Sequence, residues 1–465
     1  MKYAAMTLLH LLCMGRAASA DEALLQGNAV GETAAGEEVT DSEPASKAPS
    51  PTPDEGVDAK RPEDSDTVAD AGDKKNADDK AADDGESLDP NRTEWSILPV
   101  FGGNSDIGAM FGLGLILAKF SEDRDPYKWR LDTNATAAVG KGGITMQNYR
   151  VNINMPQFLG SRARLIGSVV YQQLMDKGYY GVGNASKYVP SDAQDRYTYD
   201  YKMPEVWAYT EVMLTKTLDF LGGFRFRYSI IDTAPGSRLD EDRNYLDANG
   251  DPVLPGTDNH GELVFAVGAS YDTRDHETAP TKGMYHQFST RASAGPMTGT
   301  DYNWGGSTLI LRFYYSFLGE YLTFGTRLMG DLMYGTPPFY EMALAGAFPY
   351  FSAIGGSFAI RGVPDGRYHG GIKILGNFEV RTVLIRFKLK SHRFKLGLAA
   401  FFDTGRVWTG WKSYPQLDGT GMGMKFGTGG GLRAQWGETF MARIDIAWSP
   451  DANPIGGYFA VGHMF

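Results

Sequence analysis

The sequence predicts an all-β protein: a 16-stranded antiparallel transmembrane β-barrel, preceded by a signal peptide and a disordered acidic segment. Three observations on residues 93–465 predict the barrel. Short segments alternate apolar and polar side chains with a period of two, which is typical of strands with two different faces. Their connections are alternately short and long, as expected when short turns lie at one barrel end and long loops at the other. No stretch has the roughly 20 continuous apolar residues that a membrane helix needs.

The first 20 residues have the pattern of a secretory signal. Lys2 precedes an apolar run over residues 6–14, and small residues at 18–20 stand before an acidic one. Cys13, the only cysteine, lies inside this segment and follows Leu12, which disfavours a lipoprotein. The mature chain is therefore predicted to have no thiol, which fits an oxidising envelope compartment.

Residues 21–92 hold 21 acidic and 7 basic side chains and no Phe, Tyr or Trp. Such a segment cannot bury enough apolar surface to offset the entropy lost on ordering, so we predict a disordered acidic linker. An alternative is a tether that reaches into the periplasm or binds a basic partner. The remainder of the chain is close to neutral, and its charge pattern indicates no nucleic-acid partner.

Alternation is plain in residues 224–228, where two phenylalanines and a tyrosine are separated by Arg225 and Arg227. Sixteen such strands are predicted in a single barrel domain over residues 93–465. Their ranges are 94–101, 107–120, 127–139, 143–155, 161–173, 203–218, 219–231, 262–273, 282–294, 304–317, 319–334, 371–389, 395–408, 423–437, 438–449 and 456–465. The long connections 174–202, 232–261 and 335–370 all fall at every second junction, so we expect them to face outward.

The last predicted strand places Phe459, Val461 and Phe465 on one face. A terminal aromatic after alternating apolar residues resembles the C-terminal signal that barrel-assembly machinery recognises. The alternative is a final edge strand that pairs with the first strand to close the barrel. That first strand contains Pro99, which cannot donate a ladder hydrogen bond, so an easily opened seam is one interpretation and an ordinary strand start is another.

Two neighbouring predicted strands carry carboxylates on their polar sides. Glu379 and Arg381 share one face of the first strand, and Asp403 lies on the glycine and alanine face of the second. The preceding long connection contains Arg361 followed by Gly362. Polar inner faces combined with apolar outer faces indicate a barrel in lipid.

Several local patterns, taken together and in this order, resemble the BamA/TamA-like outer-membrane barrel superfamily, also called the bacterial surface antigen family. The residues that carry the resemblance are Tyr180, Gly181, Gly183, Asn184, Asp272, Arg274, Asp275, Arg361, Gly362, Glu379, Asp403, Gly431, Arg433 and Phe465. In that family the loop before the twelfth strand folds into the lumen, and its arginine pairs with acidic residues on the twelfth and thirteenth strands.

The resemblance implies that Arg361 contacts Asp403 and Glu379. Such a network either pins the loop or takes part in gating or substrate handling. Val363 departs from the family pattern, which has Phe or Tyr at that position. Members that fold or export proteins carry polypeptide-transport-associated domains, which residues 21–92 could not form on this composition.

Other chemistry is weakly indicated. Residues 247–251 have acidic spacing that hints at calcium, but the full loop pattern is missing, and the histidines show no metal-binding spacing. Asp272, Arg274 and Asp275 could form an acid–base set, although a structural salt bridge at a turn is favoured. No nucleophile elbow or phosphate loop is present in the sequence. We therefore predict no enzyme, catalytic residue, metal or cofactor.

The family resemblance implies insertion or translocation of outer-membrane proteins or lipids. The alternative is a passive or structural barrel, either a plugged channel or a surface antigen, and a third option is a surface enzyme or adhesin working through the long loops. The expected partners are outer-membrane lipid, the barrel-assembly machinery for its own insertion, and unfolded outer-membrane proteins or lipids as substrate. The expected location is the outer membrane, with the N-terminal segment in the periplasm.

Overall fold

The computed structural model describes residues 89–465 apart from gaps at 141, 159, 161, 190–191, 193, 246–253, 278, 319–320, 390–391, 413, 438–439 and 452–454. The predicted signal peptide and nearly all of the acidic linker lie outside the described residues. The same holds for the calcium-like residues 247–251.

Sixteen antiparallel strands close into a barrel, which confirms the predicted fold class. The barrel strands are β1 (Thr93–Asn104), β2 (Gly108–Ser121), β3 (Arg124–Gly140), β4 (Gly143–Met155), β5 (Ala163–Gly178), β6 (Thr198–Met213), β7 (Leu218–Asp232), β8 (His260–Asp272), β9 (Gly283–Ser293), β10 (Trp304–Ser316), β11 (Leu322–Gly335), β14 (Ile372–Leu389), β15 (His392–Trp408), β16 (Lys425–Trp436), β17 (Phe440–Trp448) and β18 (Gly456–Val461). Each pairs with its neighbours in chain order, and β1 meets β18.

Small elements occupy the long connections. Two short strands, β12 (Leu344–Ala345) and β13 (Phe351–Ser352), pair with each other between β11 and β14. The helices are α1 (Arg238–Arg243), α2 (Gly295–Thr298) and α3 (Pro415–Asp418), with single 3₁₀ turns at Gln194–Tyr197 and Glu341–Ala343. Within the described part of the chain, none of the helices has the length and apolar character required to cross a membrane.

The period-two alternation sorts side chains between the outside and the lumen. On β7, Phe224 and Phe226 are each 41% exposed, whereas Arg227, the residue after Phe226, is 1% exposed. Outward-facing aromatic and aliphatic side chains match acyl chains, and the inward polar residues need partners inside the barrel.

The two barrel ends differ. The end where β1 begins carries the short turns, and we call it the turn end; the other, which carries the long connections after β5, β7 and β11, is called the loop end. The turn between β14 and β15 lies at the turn end, because strands alternate in direction around the barrel.

β5 continues further than the sequence predicted, and β6 begins and ends five residues earlier than predicted. β5 extends to Gly178 and β6 starts at Thr198, across a register shift between Leu174 and Lys177. Asp176 has a φ of 60°, a backbone conformation that residues other than glycine rarely adopt. This irregularity interrupts the alternation, so pattern reasoning ended the strand too early.

The last strand ends at Val461 rather than at Phe465, which corrects the prediction of one apolar face through Phe459, Val461 and Phe465. The chain turns at Gly462, whose φ is 83°. Phe465 is buried, with its ring centroid 6.4 Å from that of Tyr314 on β10. The turn occurs because the ring of Phe465 packs inside the lumen among β10, β11 and β14 side chains instead of facing lipid.

Candidate functional site

The connection from β11 to β14, residues 336–371, folds into the barrel and is here called the lumen loop. Its apolar residues form a buried cluster with inward side chains of the wall, including Ile360 and Val363 from the loop and Val407 from β15. Two glycines permit the close approach. Gly362 has a φ of 91°, and a Cβ on Gly427 of β16 would stand 1.9 Å from the main-chain oxygen of Arg361.

Arg361, at the tip of the lumen loop, is fully buried and contacts three carboxylates. Its Nε and Nη2 atoms donate to the two oxygens of Asp403 at 2.8 and 3.0 Å. Its Nη1 atom donates to Glu379 at 3.0 Å and to Asp445 at 3.1 Å. The bidentate pair is the geometry that a planar guanidinium makes best. The structure thus brings Arg361, Glu379 and Asp403 together.

Asp445 on β17 belongs to the same network but was not among the residues that the sequence singled out. It accepts from Arg433 at 2.6 Å and from Arg443 at 2.8 Å. Arg433 also donates to Glu379 at 2.7 Å. The alternation of β17 does place Asp445 on the polar face with Arg443. The pattern does not show how deeply the tip of the lumen loop enters the barrel, so it could not indicate that Arg361 reaches Asp445.

An aromatic ring completes the site. The guanidinium of Arg361 lies over Phe401 of β15, 3.4 Å from the ring centroid. Val363, where the family pattern has an aromatic residue, is fully buried in the apolar cluster. The aromatic contact to the arginine is therefore supplied by the barrel wall rather than by the loop tip.

A second network anchors the first half of the lumen loop and was not foreseen. Glu341 accepts from Arg225 at 2.6 Å and from Arg227 at 3.0 Å. Glu205 accepts from Arg227 at 2.7 Å, and Glu262 accepts from Arg225 at 3.2 Å. All five side chains are buried. Sequence separation exceeds 100 residues for the Glu341 contacts, so no local pattern could have indicated them.

A third network joins four barrel strands, β9, β10, β11 and β14. Asp331 accepts from Arg291 at 2.9 Å and from Lys373 at 2.7 Å. The hydroxyl of Thr308 donates to Asp331 and accepts from the main-chain nitrogen of Gly346 in the lumen loop at 3.2 Å. Buried charges are tolerated here because each has an opposite charge and additional hydrogen bonds.

The tyrosine–glycine motif lies at the loop end, away from the Arg361 network. Tyr180 stacks on Tyr197 with ring centroids 5.3 Å apart. The main-chain nitrogen of Gly183 donates to His369 of the lumen loop at 2.8 Å. Asn184 donates to the main-chain oxygen of Gly423 at 2.7 Å, so this motif, which includes Gly181, joins three outward connections.

The Asp272, Arg274 and Asp275 set forms a local turn between β8 and β9 at the turn end. Arg274 donates to Asp272 at 2.8 Å. Partial burial raises the pKa of Asp275, but hydrogen bonds from Thr281 and Lys282 outweigh this effect and hold that pKa below its usual range.

Gly431 lies on β16 two residues before Arg433. There is no room for a side chain at this position, because a Cβ would stand 2.1 Å from Asp445. Of the described residues, no group of three or more His, Cys, Asp or Glu could hold a metal ion.

The fold and this site define a 16-stranded outer-membrane β-barrel whose lumen is occupied by an inward loop held by an arginine. Residues 132–465 match the Omp85 superfamily domain. The chain belongs to the Omp85 superfamily.

Solved structures with this fold include BamA from Haemophilus ducreyi lacking POTRA domains 1–3, which is 14% identical with a TM-score of 0.54 over 80% of this chain and 70% of that one. CdiB from Escherichia coli is 11% identical with a TM-score of 0.51 over 79% of this chain and 62% of its own. These likenesses concern the fold. A comparison of the sequence with curated proteins finds no match.

Proposed function

We propose that this protein helps insert or translocate proteins or lipids at the outer membrane by opening the barrel between β1 and β18. The proposal rests on the weak pairing between β1 and β18, here called the seam. Among the described residues, a single pair, Asn104 with Tyr458, joins the two strands. By contrast, β1 pairs with β2 along its whole length, from Thr93 opposite Lys119 to Asn104 opposite Gly108.

The weak seam follows from the early end of β18. The strand stops at Val461 and the chain turns into the lumen, so most of β1 has no ladder partner on this side within the described residues. Main-chain groups without partners are costly in lipid, which makes a free strand edge a template for another extended segment. A substrate strand could pair with β1 at little cost in barrel hydrogen bonds.

The activity we propose is mechanical rather than enzymatic, and the three carboxylates that meet at the loop tip, Glu379, Asp403 and Asp445, are engaged by Arg361. Substrate strands or lipids would reach the seam from the turn end, and we place that end and the N-terminal segment in the periplasm. The Arg361 network would hold the lumen loop while the seam opens.

A disulfide across the seam tests the proposal. Extending the Asn104–Tyr458 register by two residues places Gly102 opposite Ala460. The double variant Gly102→Cys with Ala460→Cys locks the seam. The matched control, Gly102→Cys with Met110→Cys, uses an observed pair of the β1–β2 ladder and leaves the seam free.

Each variant replaces the parent protein in depleted cells, and the outer-membrane proteins and lipids are profiled. We expect the oxidised seam variant to reproduce the depletion profile, and a reductant to restore the parent profile, while the control remains like the parent. A locked barrel that supports a parental profile would overturn the proposal.

A second candidate is a plugged channel, favoured by the packing of the lumen loop against the barrel wall. Conductance of the purified protein in planar bilayers, with and without residues 335–370, distinguishes it. An open pore after deletion supports a plugged channel, and zero conductance in both argues against one.

A further inference from the structure

Two arginines face each other on adjacent strands of the lumen wall. Arg312 of β10 stands directly opposite Arg327 of β11 in the barrel register. Arg327 is 2% exposed, and Arg312 is half-buried, on the same side of β10 as the buried Ile310 and Tyr314. We call Arg312 and Arg327 the facing arginines. Like charges directly opposite each other destabilise a strand pair, so this arrangement favours an anion between them.

The facing arginines have no carboxylate partner among the residues that the structure describes. Arg327 uses neutral acceptors: its Nε atom donates to the side-chain oxygen of Asn377 at 2.9 Å, and its Nη2 atom donates to the main-chain oxygen of Phe358. Arg312 forms no hydrogen bond to a described residue, and its Nε atom is buried. A buried cation without a counter-charge is costly, so both guanidinium groups can gain from an added anion.

The carboxylates on one side of this pair are already engaged. Along the wall, Arg327 is opposite Asn377 of β14, and Asn377 is opposite Asp403 of β15. Asp403 accepts both of its arginine hydrogen bonds from Arg361. In the network around Arg361, four guanidinium groups share three carboxylates; the members are Arg361, Arg381, Arg433, Arg443, Glu379, Asp403 and Asp445. That network therefore has no negative charge to spare for the facing arginines.

The other side of the pair adds a further cation. Arg312 is opposite Tyr285 of β9. The guanidinium of Arg312 lies 5.1 Å from the centroid of the Tyr285 ring, and that of Arg274 lies 4.6 Å from the same centroid. The acid beside them, Asp272, accepts from Arg274 at 2.8 Å. The wall on this side is therefore balanced in charge and does not neutralise Arg312.

Two more hydrogen-bond donors without partners lie next to the facing arginines. Tyr314, two residues after Arg312 on the same face, is 4% exposed, and its hydroxyl has no hydrogen-bond partner. The guanidinium of Arg381 lies 5.8 Å from the centroid of the Tyr314 ring, and its Nη1 atom is buried without a partner. We call Arg312, Arg327, Tyr314 and Arg381 the donor site.

We propose that the donor site binds a phosphoryl group, either of free phosphate or of a lipid headgroup, that enters the lumen from the turn end. Guanidinium groups match the oxygens of phosphate in geometry and charge. A phosphoryl group has enough oxygens to serve two guanidinium groups and a hydroxyl at once. The two oxygens of a carboxylate are already satisfied by one guanidinium, as those of Asp403 are by Arg361.

The donor site can be reached from the turn end. Arg312 lies four residues before Ser316, the last residue of β10, which corresponds to about 13 Å along the strand. Arg312 and Tyr285 are both half-buried, so the lumen loop leaves this part of the wall accessible. The proposal does not depend on the opening of the seam.

Isothermal titration of inorganic phosphate into the purified full-length protein in dodecyl maltoside tests the proposal. A chloride buffer keeps the ionic strength constant, so that general screening does not change. We expect saturable binding of one phosphate per barrel. Arg312→Gln should weaken this binding about 10- to 100-fold, which is typical of a lost hydrogen bond between charged groups.

The matched control is Arg130→Gln. Arg130 is a half-buried arginine of β3 whose carboxylate partner, Asp132, lies at 2.6 Å. Because Arg130 already has a counter-charge and lies on a different part of the wall, this variant should bind phosphate like the parent protein.

Arg312→Gln should keep the mobility of the folded barrel on unheated gels, since Arg312 forms no hydrogen bond to a described residue. If that variant misfolds, Tyr314→Phe decides the question, because it removes one hydroxyl and keeps the ring. It should weaken phosphate binding about three- to tenfold. Arg312→Lys should bind with intermediate strength, because an ammonium keeps the charge but loses the planar fork.

Native mass spectrometry distinguishes the two sources of the phosphoryl group. The same variants are incubated with dioleoyl phosphatidic acid or, as a control without phosphate, with dioleoylglycerol. Retention of phosphatidic acid by the parent protein and its loss in Arg312→Gln assign the site to a lipid headgroup. Binding of inorganic phosphate without retention of phosphatidic acid assigns it to free phosphate.

Three results would overturn the proposal. The first is a parent protein that binds neither inorganic phosphate nor phosphatidic acid. The second is binding that Arg312→Gln and Tyr314→Phe leave unchanged, or that Arg130→Gln weakens as much as Arg312→Gln does. The third is acetate that binds as strongly as phosphate, which would show that the site does not select a phosphoryl group.

Discussion

Replacement of Arg361 by alanine is the most informative perturbation of the lumen. The guanidinium is fully buried and serves Asp403, Glu379 and Asp445. After its removal, Glu379 and Asp445 keep contacts to other arginines, including Arg433. Asp403 loses its only ion-pair partner among the described residues and keeps hydrogen bonds from neutral groups. Removing one partner of a buried pair costs about 3–5 kcal/mol, so we expect a loss of that size in the free energy of unfolding.

The assay is the temperature at which the folded barrel converts to the unfolded form on gels, together with limited proteolysis of the lumen loop. Arg361→Ala should lower that temperature and expose the loop to cleavage. Arg361→Lys should have an intermediate effect, because an ammonium retains the charge but cannot form the bidentate contact. Adding Asp403→Asn to Arg361→Ala should restore part of the loss by removing the unpaired carboxylate. Parental behaviour of Arg361→Ala in both assays would refute the account of the network.

Three further predictions concern other parts of the barrel. Glu341→Ala should expose the first half of the lumen loop to protease and cost about 3–5 kcal/mol, since it leaves two buried arginines short of a carboxylate; unchanged cleavage would contradict this role. Gly427→Ala should destabilise the barrel by about 1–3 kcal/mol through a clash with the main chain of Arg361, whereas Gly410→Ala, with open space around it, should be neutral in the same gel assay. Because the pKa of Asp275 is lower in the folded protein, the ionised carboxylate stabilises the β8–β9 turn at pH values above the ordinary carboxyl pKa. This stabilisation is lost as the pH falls through the lower pKa of the folded state. Proteolysis of that turn should therefore increase in acid for the parent protein and vary less with pH in Asp275→Asn.

Much of the barrel could be predicted from the sequence because membrane strands must alternate. Lipid on one side and polar groups on the other impose a period of two, which Phe224 and Arg225 follow in the structure as in the sequence. The same rule placed Glu379 and Asp403 inside, and the structure finds both at Arg361. Irregular positions were missed: Asp176 interrupts β5 without ending it, and no alternation marks such a bulge.

The end of the chain shows a different limit of pattern reasoning. Phe465 follows Phe459 at an even spacing, so alternation places both on one face. In the structure Gly462 turns the chain inward, and Arg381 donates to the main-chain oxygen of Phe465 at 3.0 Å. The partner lies 84 residues away, and such distant contacts leave no periodic signal.

By itself the sequence determined that this protein is a 16-stranded barrel with a polar lumen, because the alternation of side chains is a local property and needs no partner to be recognised. Only the tertiary structure decided what fills the lumen and where the barrel is weak. Glu341 meets Arg225 and Arg227, and Asn104 meets Tyr458, through barrel closure and loop insertion. These contacts are set by the three-dimensional path of the chain, which local residue patterns do not encode.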